Sequence, residues 1–390
     1  MQKYKVDWLS FSVRCYDDEP TNTLDENLLE LLGYDFAEEF STDISGKNFY
    51  NRGATISGYV NVYWNDYTDT KNPVRKNSSK TMNVVYTGQG STDLALRNDN
   101  DWIKIFSILS TYEPKNKPKV EAGEAKPSVN ITRIDIALDD FDELVKFDDI
   151  EKKLKKGHYR SSKRSYNIVK TSDQNGQKLG ETIYIGNART ASGSRGNTYL
   201  RMYDKLAQYH EKNQLVTSDV REYWKKTGKE VWQRYEISFS KCYTNSIVEA
   251  ILNGESIDKI FKTSLRNLLE ILTPRGKNKN RWYKTKWWED FLQYDERKGF
   301  DLPERDVMLA ETLEWLRVAV LPTLNVMEKI GKERGFDIYD LVRKAKKPVE
   351  LSKKQSRIIS DTRNKSDETI NDYLTKFLLG MEIKRERGDE

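Results

Sequence analysis

The sequence is poor in the residues that build most metal sites and disulfide frameworks. It has 2 cysteines and 2 histidines among 390 residues. Cys15 and Cys242 form no Cys-x-x-Cys pair, and two cysteines offer no disulfide framework. With only His158 and His210 to add, a zinc site of the usual His/Cys kind is nearly excluded. Catalytic chemistry would have to come from Asp, Glu, Tyr, Lys and Arg.

Long apolar runs are also missing. No stretch approaches the ~18 apolar residues that span a membrane. The N-terminus lacks the apolar core of a signal peptide, so we expect a cytoplasmic protein with no membrane partner. A Gly-x-x-x-x-Gly-Lys-Ser/Thr phosphate loop is absent too. What is present is a large aromatic set of 9 Trp, 22 Tyr and 13 Phe, enough to anchor a folded core.

Positive charge is modest in sum, +5, but clustered. Residues 152–170 carry eight Lys or Arg and no acid, and residues 275–286 carry six and no acid, with Trp282 and Tyr283 among them. Basic residues interleaved with aromatics suit a phosphate backbone with unstacked bases. A solvated basic face is the alternative interpretation. The candidate DNA-binding residues are Arg160, Lys163, Arg164, Lys277, Lys279 and Arg281.

The chain divides at a segment rich in Pro, Lys, Glu and Ala, residues 113–130, which is typical of a linker. Strand and helix patterns alternate up to about residue 300, and helical patterns follow. Both halves of the body begin with an Asp-bearing strand, which hints at a repeat. We therefore predict four segments: an N-terminal α+β half that binds DNA (1–112), the linker (113–130), a catalytic α+β half (131–300) and a helical extension (301–390).

Individual elements follow from the same patterns. The strands predicted in the first half are 5–13, 56–64 and 81–87, with Gly88–Gly90 breaking the last one and residues 17–50 irregular. A single helix is predicted over 256–272. Another is predicted over 303–332, with a kink or break at Pro322.

Three predicted strands share one pattern when their side chains are sorted by parity. Each has one apolar side, such as Ile134 and Ile136 in the strand at 131–139. The opposite sides carry acids, arginines and tyrosines: Arg133, Asp135 and Asp139; Arg234, Glu236 and Ser238; Tyr199, Arg201 and Tyr203.

Carboxylates gathered on one surface repel each other unless a cation lies between them. Oxygen ligands of this kind suit Mg²⁺ or Mn²⁺. Such an ion would polarise a phosphodiester that a tyrosine hydroxyl could attack. The alternative is a solvent-facing surface with Asp–Arg cross-strand pairs, each of which contributes little.

Four motifs in this order resemble the replication-initiation-factor family, also called Rep_trans. They are Thr132–Ala137 (TRIDIA), Ile183–Gly186 (YIG after Ile), Leu200–Lys205 (LRMYDK) and Arg234–Ile237 (RYEI). The resemblance covers about residues 5–295. The loop at 190–197 is longer than close relatives are expected to have, and the helical extension is not covered.

The resemblance implies an antiparallel-sheet fold like that of the HUH nucleases, with acidic residues in place of the histidine pair. It implies that Tyr203 is the nucleophile, with Tyr199 as its rival. By position, Asp135 and Glu236 would be the metal ligands. Asp139 is a weaker candidate ligand because it lies outside the motif.

The implied activity is cleavage of one DNA strand at an origin, with Arg201 and Lys205 holding the scissile phosphate or neutralising the leaving oxygen. The product is a 5′-phosphotyrosyl link and a 3′-OH that initiates rolling-circle replication. The implied partners are the origin as supercoiled duplex and single strand, and a helicase; a homodimer stays open. A relaxase that nicks a conjugative transfer origin and a non-catalytic DNA-binding regulator are the alternatives.

Overall fold

The computed structural model describes most of the chain and divides it into two compact units. The units are Met1–Leu302 and Pro303–Glu390. The described residues are 1–47, 49–76, 78–114, 117, 127–176, 178–187, 197–211, 216–292, 309, 312–313, 316–345, 359, 362 and 367–379. Most of the expected linker and of the expected loop at 190–197 lies outside them. The segment boundaries inside the first unit stay predictions.

The first unit is built on a ten-stranded antiparallel sheet. Its strands are β1 (Gln2–Arg14), β2 (Ser41–Ser45), β3 (Arg52–Ile56), β4 (Val60–Trp64), β5 (Thr81–Tyr86), β6 (Val129–Asp140), β8 (Tyr166–Ser172), β9 (Lys178–Ile185), β10 (Thr198–Asp204) and β11 (Gln233–Ser240). A smaller sheet contains β7 (Tyr159–Arg160), β12 (Glu270–Thr273) and β13 (Tyr283–Lys284).

The order of the strands shows that the large sheet consists of two halves with one plan. From the centre outward, one half runs β1-β5-β4-β3-β2 and the other runs β6-β11-β10-β9-β8. The first strand of each half is central, and these two strands, β1 and β6, pair antiparallel. The predicted α+β fold with an antiparallel sheet and two related halves is therefore confirmed.

Helices join the strands, and most of them pack against the apolar face of the sheet. They are α1 (Glu26–Leu31), α2 (Phe36–Glu39), α3 (Gly88–Arg97), α4 (Trp102–Thr111), α5 (Phe147–Lys155), α6 (Lys205–Glu211), α7 (Ser218–Thr227), α8 (Cys242–Leu252), α9 (Ile257–Leu268) and α10 (Lys286–Leu292). A 3-10 turn at Lys279–Arg281 precedes β13.

The apolar sides of the central strands form the core against these helices. Ile136 of β6 and Ile237 of β11 are fully buried in one cluster with Ile247 of α8 and Phe261 of α9. Burying a side chain of this size stabilises the fold by about 1.5–3 kcal/mol. Since strand side chains alternate, this packing leaves the acids and arginines of the same strands on the opposite face.

Several element predictions were wrong in the first half. Residues 56–64 are not one strand, because β3 and β4 form a hairpin whose turn includes Ser57 and Gly58, both with positive φ. The segment at Gly88 begins helix α3 instead of only ending a strand. A Cβ at Gly90 would lie 2.3 Å from the carbonyl oxygen of Tyr59, so that contact requires glycine.

Two further predictions need correction. Residues 17–50 contain α1 and α2, whose first turns are capped by the side chains of Asp25 and Asp35. The helix predicted over 256–272 ends at Leu268, and the chain continues as strand β12.

The second unit is helical in its described parts. A π-helical turn at Leu316–Val320 leads into α11 (Leu321–Arg334), followed by α12 (Ile338–Ala345) and α13 (Asp367–Leu378). Pro322 lies in the first turn of α11, where a missing N–H costs no hydrogen bond within that helix. The break predicted at Pro322 therefore falls at the junction between the π-helical turn and α11. Among the helices of the described ranges, none has the length and apolar character of a membrane span.

Candidate active site

The candidate catalytic residues lie on three neighbouring strands, β6, β11 and β10. Arg201 is directly opposite Glu236, and Tyr203 is opposite Arg234. On the other side of β11, Ser238 is opposite Asp135. Opposed residues of antiparallel strands point to the same face. The polar sides predicted for the three strands therefore form one surface, because β6, β11 and β10 are neighbours in the sheet.

Each carboxylate on this surface is paired with its own arginine. Arg201 donates to Glu236 at 2.6 Å, and Arg133 donates to both oxygens of Asp135. Both carboxylates are buried. A buried charge needs such compensation, because an unpaired one would cost several kcal/mol.

The third carboxylate belongs to a separate network. Arg234 donates to the two oxygens of Asp139 at 2.6 and 2.8 Å, and the indole of Trp232 donates to one of them at 2.7 Å. Arg234 also reaches Asp7 on β1 at 2.8 Å. Both oxygens of Asp139 are thus engaged, as both oxygens of Asp135 are, so hydrogen bonding does not separate these two as candidate metal ligands. Sequence reasoning placed Asp139 and Arg234 on this face but did not find Asp7 and Trp232 as their partners.

Tyr203 lies between acidic and basic groups. Its hydroxyl is 3.4 Å from Glu236 Oε2, and the guanidinium of Arg201 lies 4.7 Å from the centre of its ring. Burial, and next the negative charge of Glu236, raise the pKa of the Tyr203 hydroxyl above its ordinary value. The phenol is therefore protonated at neutral pH, and attack on phosphorus would need a base to take its proton.

Lys205 is the adjoining cation. Burial, followed by the positive charge of Arg234, lowers the pKa of Lys205 to about 8. Its ammonium group donates to Gln208 at 2.7 Å and lies 5.7 Å from the centre of the Tyr203 ring. An ammonium with a pKa near neutral can give up a proton to a leaving oxygen.

Asp135 and Glu236 are the two candidate ligands for a divalent cation that lie in the family motifs. Burial raises the pKa of Asp135 to about 6, Arg133 opposes the shift, and Glu236 adds to it. Like charges that repel in a buried site are relieved by a cation between them. In this structure Arg133 and Arg201 compensate the two negative charges, so a metal ion would compete with these arginines for the carboxylates.

Two further tyrosines share the face. Tyr199 is opposite Ser238 and is buried, and its pKa is raised by burial first and then by Asp135. Tyr184 on β9 is opposite Arg201 and is half-buried. Sequence reasoning missed Tyr184 as a candidate, although the parity of residues 182, 184 and 186 was the available signal.

The two basic stretches meet in the small sheet. Strand β12 pairs with β7 from the first stretch and with β13 from the second. Lys277, Lys279 and Arg281 are exposed around the 3-10 turn, and the Lys279 ammonium lies 5.1 Å from the ring of Tyr159. Arg160 is paired with Glu270 at 2.9 Å. Arg164 is exposed and Lys163 is half-buried.

A second acidic group, away from these strands, has metal-like spacing. Ligand atoms of Asp148, Glu151 and Glu181 lie within 4.8 Å of one another. The ammonium of Lys170 contacts all three, at 3.7, 2.5 and 3.4 Å. A lysine therefore already compensates this group.

Comparisons with known proteins agree with this geometry. The sequence model of the replication initiation factor family matches residues 129–342, more than half of the chain. Among solved structures, the rolling-circle replication initiator protein from Geobacillus stearothermophilus superposes with a TM-score of 0.57 at 24% identity, over 78% of this chain and 100% of that one. No curated protein matches. The chain thus belongs to the replication initiation factor family and has the fold of a rolling-circle replication initiator.

Proposed function

We propose that this protein cuts one strand of DNA at an origin and remains attached to it through Tyr203. Family membership supports an initiator, and the polar face supplies the residue types that strand transfer needs. The observation that carries the proposal is the position of the Tyr203 hydroxyl, 3.4 Å from a buried carboxylate and flanked by Arg201 and Lys205.

The chemistry is a transesterification. The Tyr203 oxygen attacks phosphorus while its proton passes to Glu236, which is the nearest acceptor. The bond between phosphorus and the 3′ oxygen breaks, and that oxygen takes a proton from Lys205. The products are a 5′-phosphotyrosyl link and a free 3′-OH. One phosphoester replaces another, so the reverse reaction can rejoin the strand without ATP.

Arg201 has two roles in this scheme. It forms an ion pair with Glu236, and its side chain is 32% exposed, so it can also approach a phosphate from solvent. Arginine presents several donors in one plane and suits phosphate oxygens. A negative charge that develops on the phosphate would then meet an oriented cation.

A divalent cation, Mg²⁺ or Mn²⁺, would be held by Asp135 and Glu236. When bound, it would polarise the phosphodiester. Asp139 is left out of this ligand pair because it lies outside the family motif and belongs to the separate network of Arg234 and Trp232.

The test uses a supercoiled plasmid that carries the DNA neighbouring the gene. We expect a relaxed product with protein on its 5′ end, and no product with Tyr203→Phe, which removes one hydroxyl and keeps the ring. Tyr199→Phe and Tyr184→Phe are the matched controls and should keep most activity. Mapping the DNA-linked peptide to either control residue would overturn the assignment of the nucleophile.

The same assay separates the rival functions. A non-catalytic regulator would bind the plasmid without relaxing it, and Tyr203→Phe would change nothing. A relaxase uses the same chemistry, so the difference lies in the DNA: cleavage of a conjugative transfer origin in preference to a replication origin would identify it.

A further inference from the structure

The polar face of the sheet continues beyond the candidate active site, onto β1 and β5. Ser12 of β1 lies opposite Asn83 of β5 on one side and Asn130 of β6 on the other. Arg14 lies opposite Thr81 in the same register. These side chains share the face that carries Asp135, because alternate residues of a strand point the same way.

A cavity of about 660 Å³ opens on this part of the face. Pockets that bind small organic ligands have similar volumes, roughly 300–1,000 Å³. Most of the residues that line it have polar side chains, among them Ser12, Arg14, Asn83, Ser128, Asn130 and Thr132. Among the described residues of the lining there are hydroxyls, amides and one cation, and no carboxylate. Such a wall accepts a ligand with many hydrogen-bonding groups and a negative charge.

Two lining residues have hydrogen-bonding capacity to spare. The Ser128 side chain is buried, and its hydroxyl has no hydrogen-bond partner within the described part of the chain. A buried polar group left unpaired is destabilising, so a ligand that pairs with it gains affinity. Asn130 is exposed, and its amide offers the donor and acceptor pair that recognises an adenine edge.

An aromatic side chain lies between the cavity and the active site. Trp8 on β1 is opposite Asp135, and the guanidinium of Arg133 stacks 4.3 Å from its ring. Arg133 in turn holds Asp135. Indole and guanidinium planes are the groups on which unpaired bases stack.

The path from Tyr203 to the cavity has a length that suits DNA. Tyr203 is in register with Arg234 and, on β6, with Asp139, whereas the cavity is lined by Asn130, nine residues further along β6 or about 30 Å away. Strands β10 and β6 are two strand spacings apart, about 10 Å, so the direct distance is about 32 Å. Several nucleotides of extended single strand cover this distance. The cavity would therefore meet a base several positions from the phosphate under attack.

We propose that this cavity binds an unpaired nucleotide of the strand being cut, with Trp8 and Arg133 stacking a base on the way to it. This makes the N-terminal half of the sheet a single-strand binding surface that selects bases several positions from the cleavage point. The inference rests on the proposed function, because it takes the substrate to be DNA opened at the nick site.

The test measures binding without cleavage. The full-length protein is titrated into a fluorescein-labelled single-stranded oligonucleotide of mixed sequence in EDTA, and anisotropy is followed. Asn130→Asp, which replaces a donor with a negative charge at constant shape, should weaken binding roughly 5- to 100-fold, the range for a lost base contact. Asn253→Asp, which adds the same charge at the exposed end of α8, is the matched control and should bind as the wild type does.

Ser128→Ala provides a second, independent measurement. It removes an unpaired buried hydroxyl, so it should leave the thermal unfolding temperature equal or higher while it weakens single-strand binding about fivefold. A merely structural role for Ser128 would not separate these two quantities in this way.

The outcomes distinguish this inference from the proposed function. If the wild type binds single strands and nicks the plasmid, but Asn130→Asp and Ser128→Ala bind as well as it does, the cavity is not the nucleotide site and the nicking function stands. An equal loss of affinity in Asn253→Asp would also overturn the inference, because net charge alone would explain it. If the variants weaken binding while the wild type fails to nick, the cavity is supported and the proposed function falls.

Discussion

The two carboxylates Glu236 and Asp139 should respond in opposite ways to removal of their charge. Glu236→Gln should abolish nicking and barely change stability. Asp139→Asn should destabilise the fold and leave much of the nicking of the surviving folded protein. Both side chains are buried, both pair with an arginine, and strand parity places both on the same face.

The difference in stability follows from what remains after the substitution. Removing Asp139 leaves Arg234, whose side chain is only 4% exposed, with Asp7 as its remaining partner. Breaking a buried ion pair costs about 3–5 kcal/mol, and we expect the lower end, about 3 kcal/mol, because Asp7 persists. Arg201 is 32% exposed, so water can solvate it in Glu236→Gln, and we expect a cost of about 1 kcal/mol.

The difference in activity follows from the distance to Tyr203. Glu236 is the acceptor nearest the Tyr203 hydroxyl, and removal of a general base slows a reaction by about 10²- to 10⁴-fold. Asp139 is occupied by Arg234 and Trp232. We therefore expect Asp139→Asn to nick within about tenfold of the wild type at a temperature at which it is folded.

The assay pairs single-turnover plasmid nicking with thermal unfolding of the same samples. A loss of about 3 kcal/mol should lower the unfolding temperature by roughly 6–12 °C. The reasoning would be refuted by an Asp139→Asn protein that unfolds like the wild type but has lost nicking. That result would indicate that Asp139 has a catalytic or metal-binding role.

Four other perturbations have expected outcomes. The nicking rate should rise as the pH passes about 6, where Asp135 ionises, and fall above about 8, where Lys205 loses its proton. Lys205→Arg should move the alkaline limb of the pH profile to higher pH. An unchanged alkaline limb would show that Lys205 is not the proton donor. Nicking should stop in EDTA and return with Mg²⁺ or Mn²⁺, and full activity in EDTA would eliminate the metal. Neutralising Lys277, Lys279 and Arg281 together should flatten the log–log salt dependence of DNA binding by roughly one unit per lost contact, whereas an unchanged slope would mean a solvated loop. Deleting residues 336–390 should spare cleavage of a single-stranded oligonucleotide and impair action on supercoiled duplex; loss of oligonucleotide cleavage and of solubility would instead mean that this segment is needed for the fold.

Much of the candidate site could be read from the sequence because strand alternation is a local property. The side chains of Asp135, Arg201, Tyr203 and Glu236 each alternate with buried apolar neighbours, so their parity alone places them on a polar face. The scarcity of histidine and cysteine restricted the chemistry to carboxylates, tyrosine, lysine and arginine. The family motifs then ranked the tyrosines.

Local signals were weaker where a turn or a change of element decided the structure. The hairpin between β3 and β4 depends on positive φ at Ser57 and Gly58, and an apolar alternation that continues through the turn concealed it. The end of α9 at Leu268 was hidden for a similar reason: the apolar residues continue into β12, where they are buried as a strand.

What only the tertiary structure decided is which polar residues meet. The order β6-β11-β10 makes Arg201 the partner of Glu236, and pairing of β1 with β6 brings Asp7 to Arg234 and Trp8 to Asp135 across more than a hundred residues of sequence. In the small sheet, long-range pairing of β12 with β7 and β13 likewise joins the two basic stretches. Strand alternation fixes the side to which a residue points, but its neighbours depend on contacts between distant segments, which only the packing of the whole sheet selects.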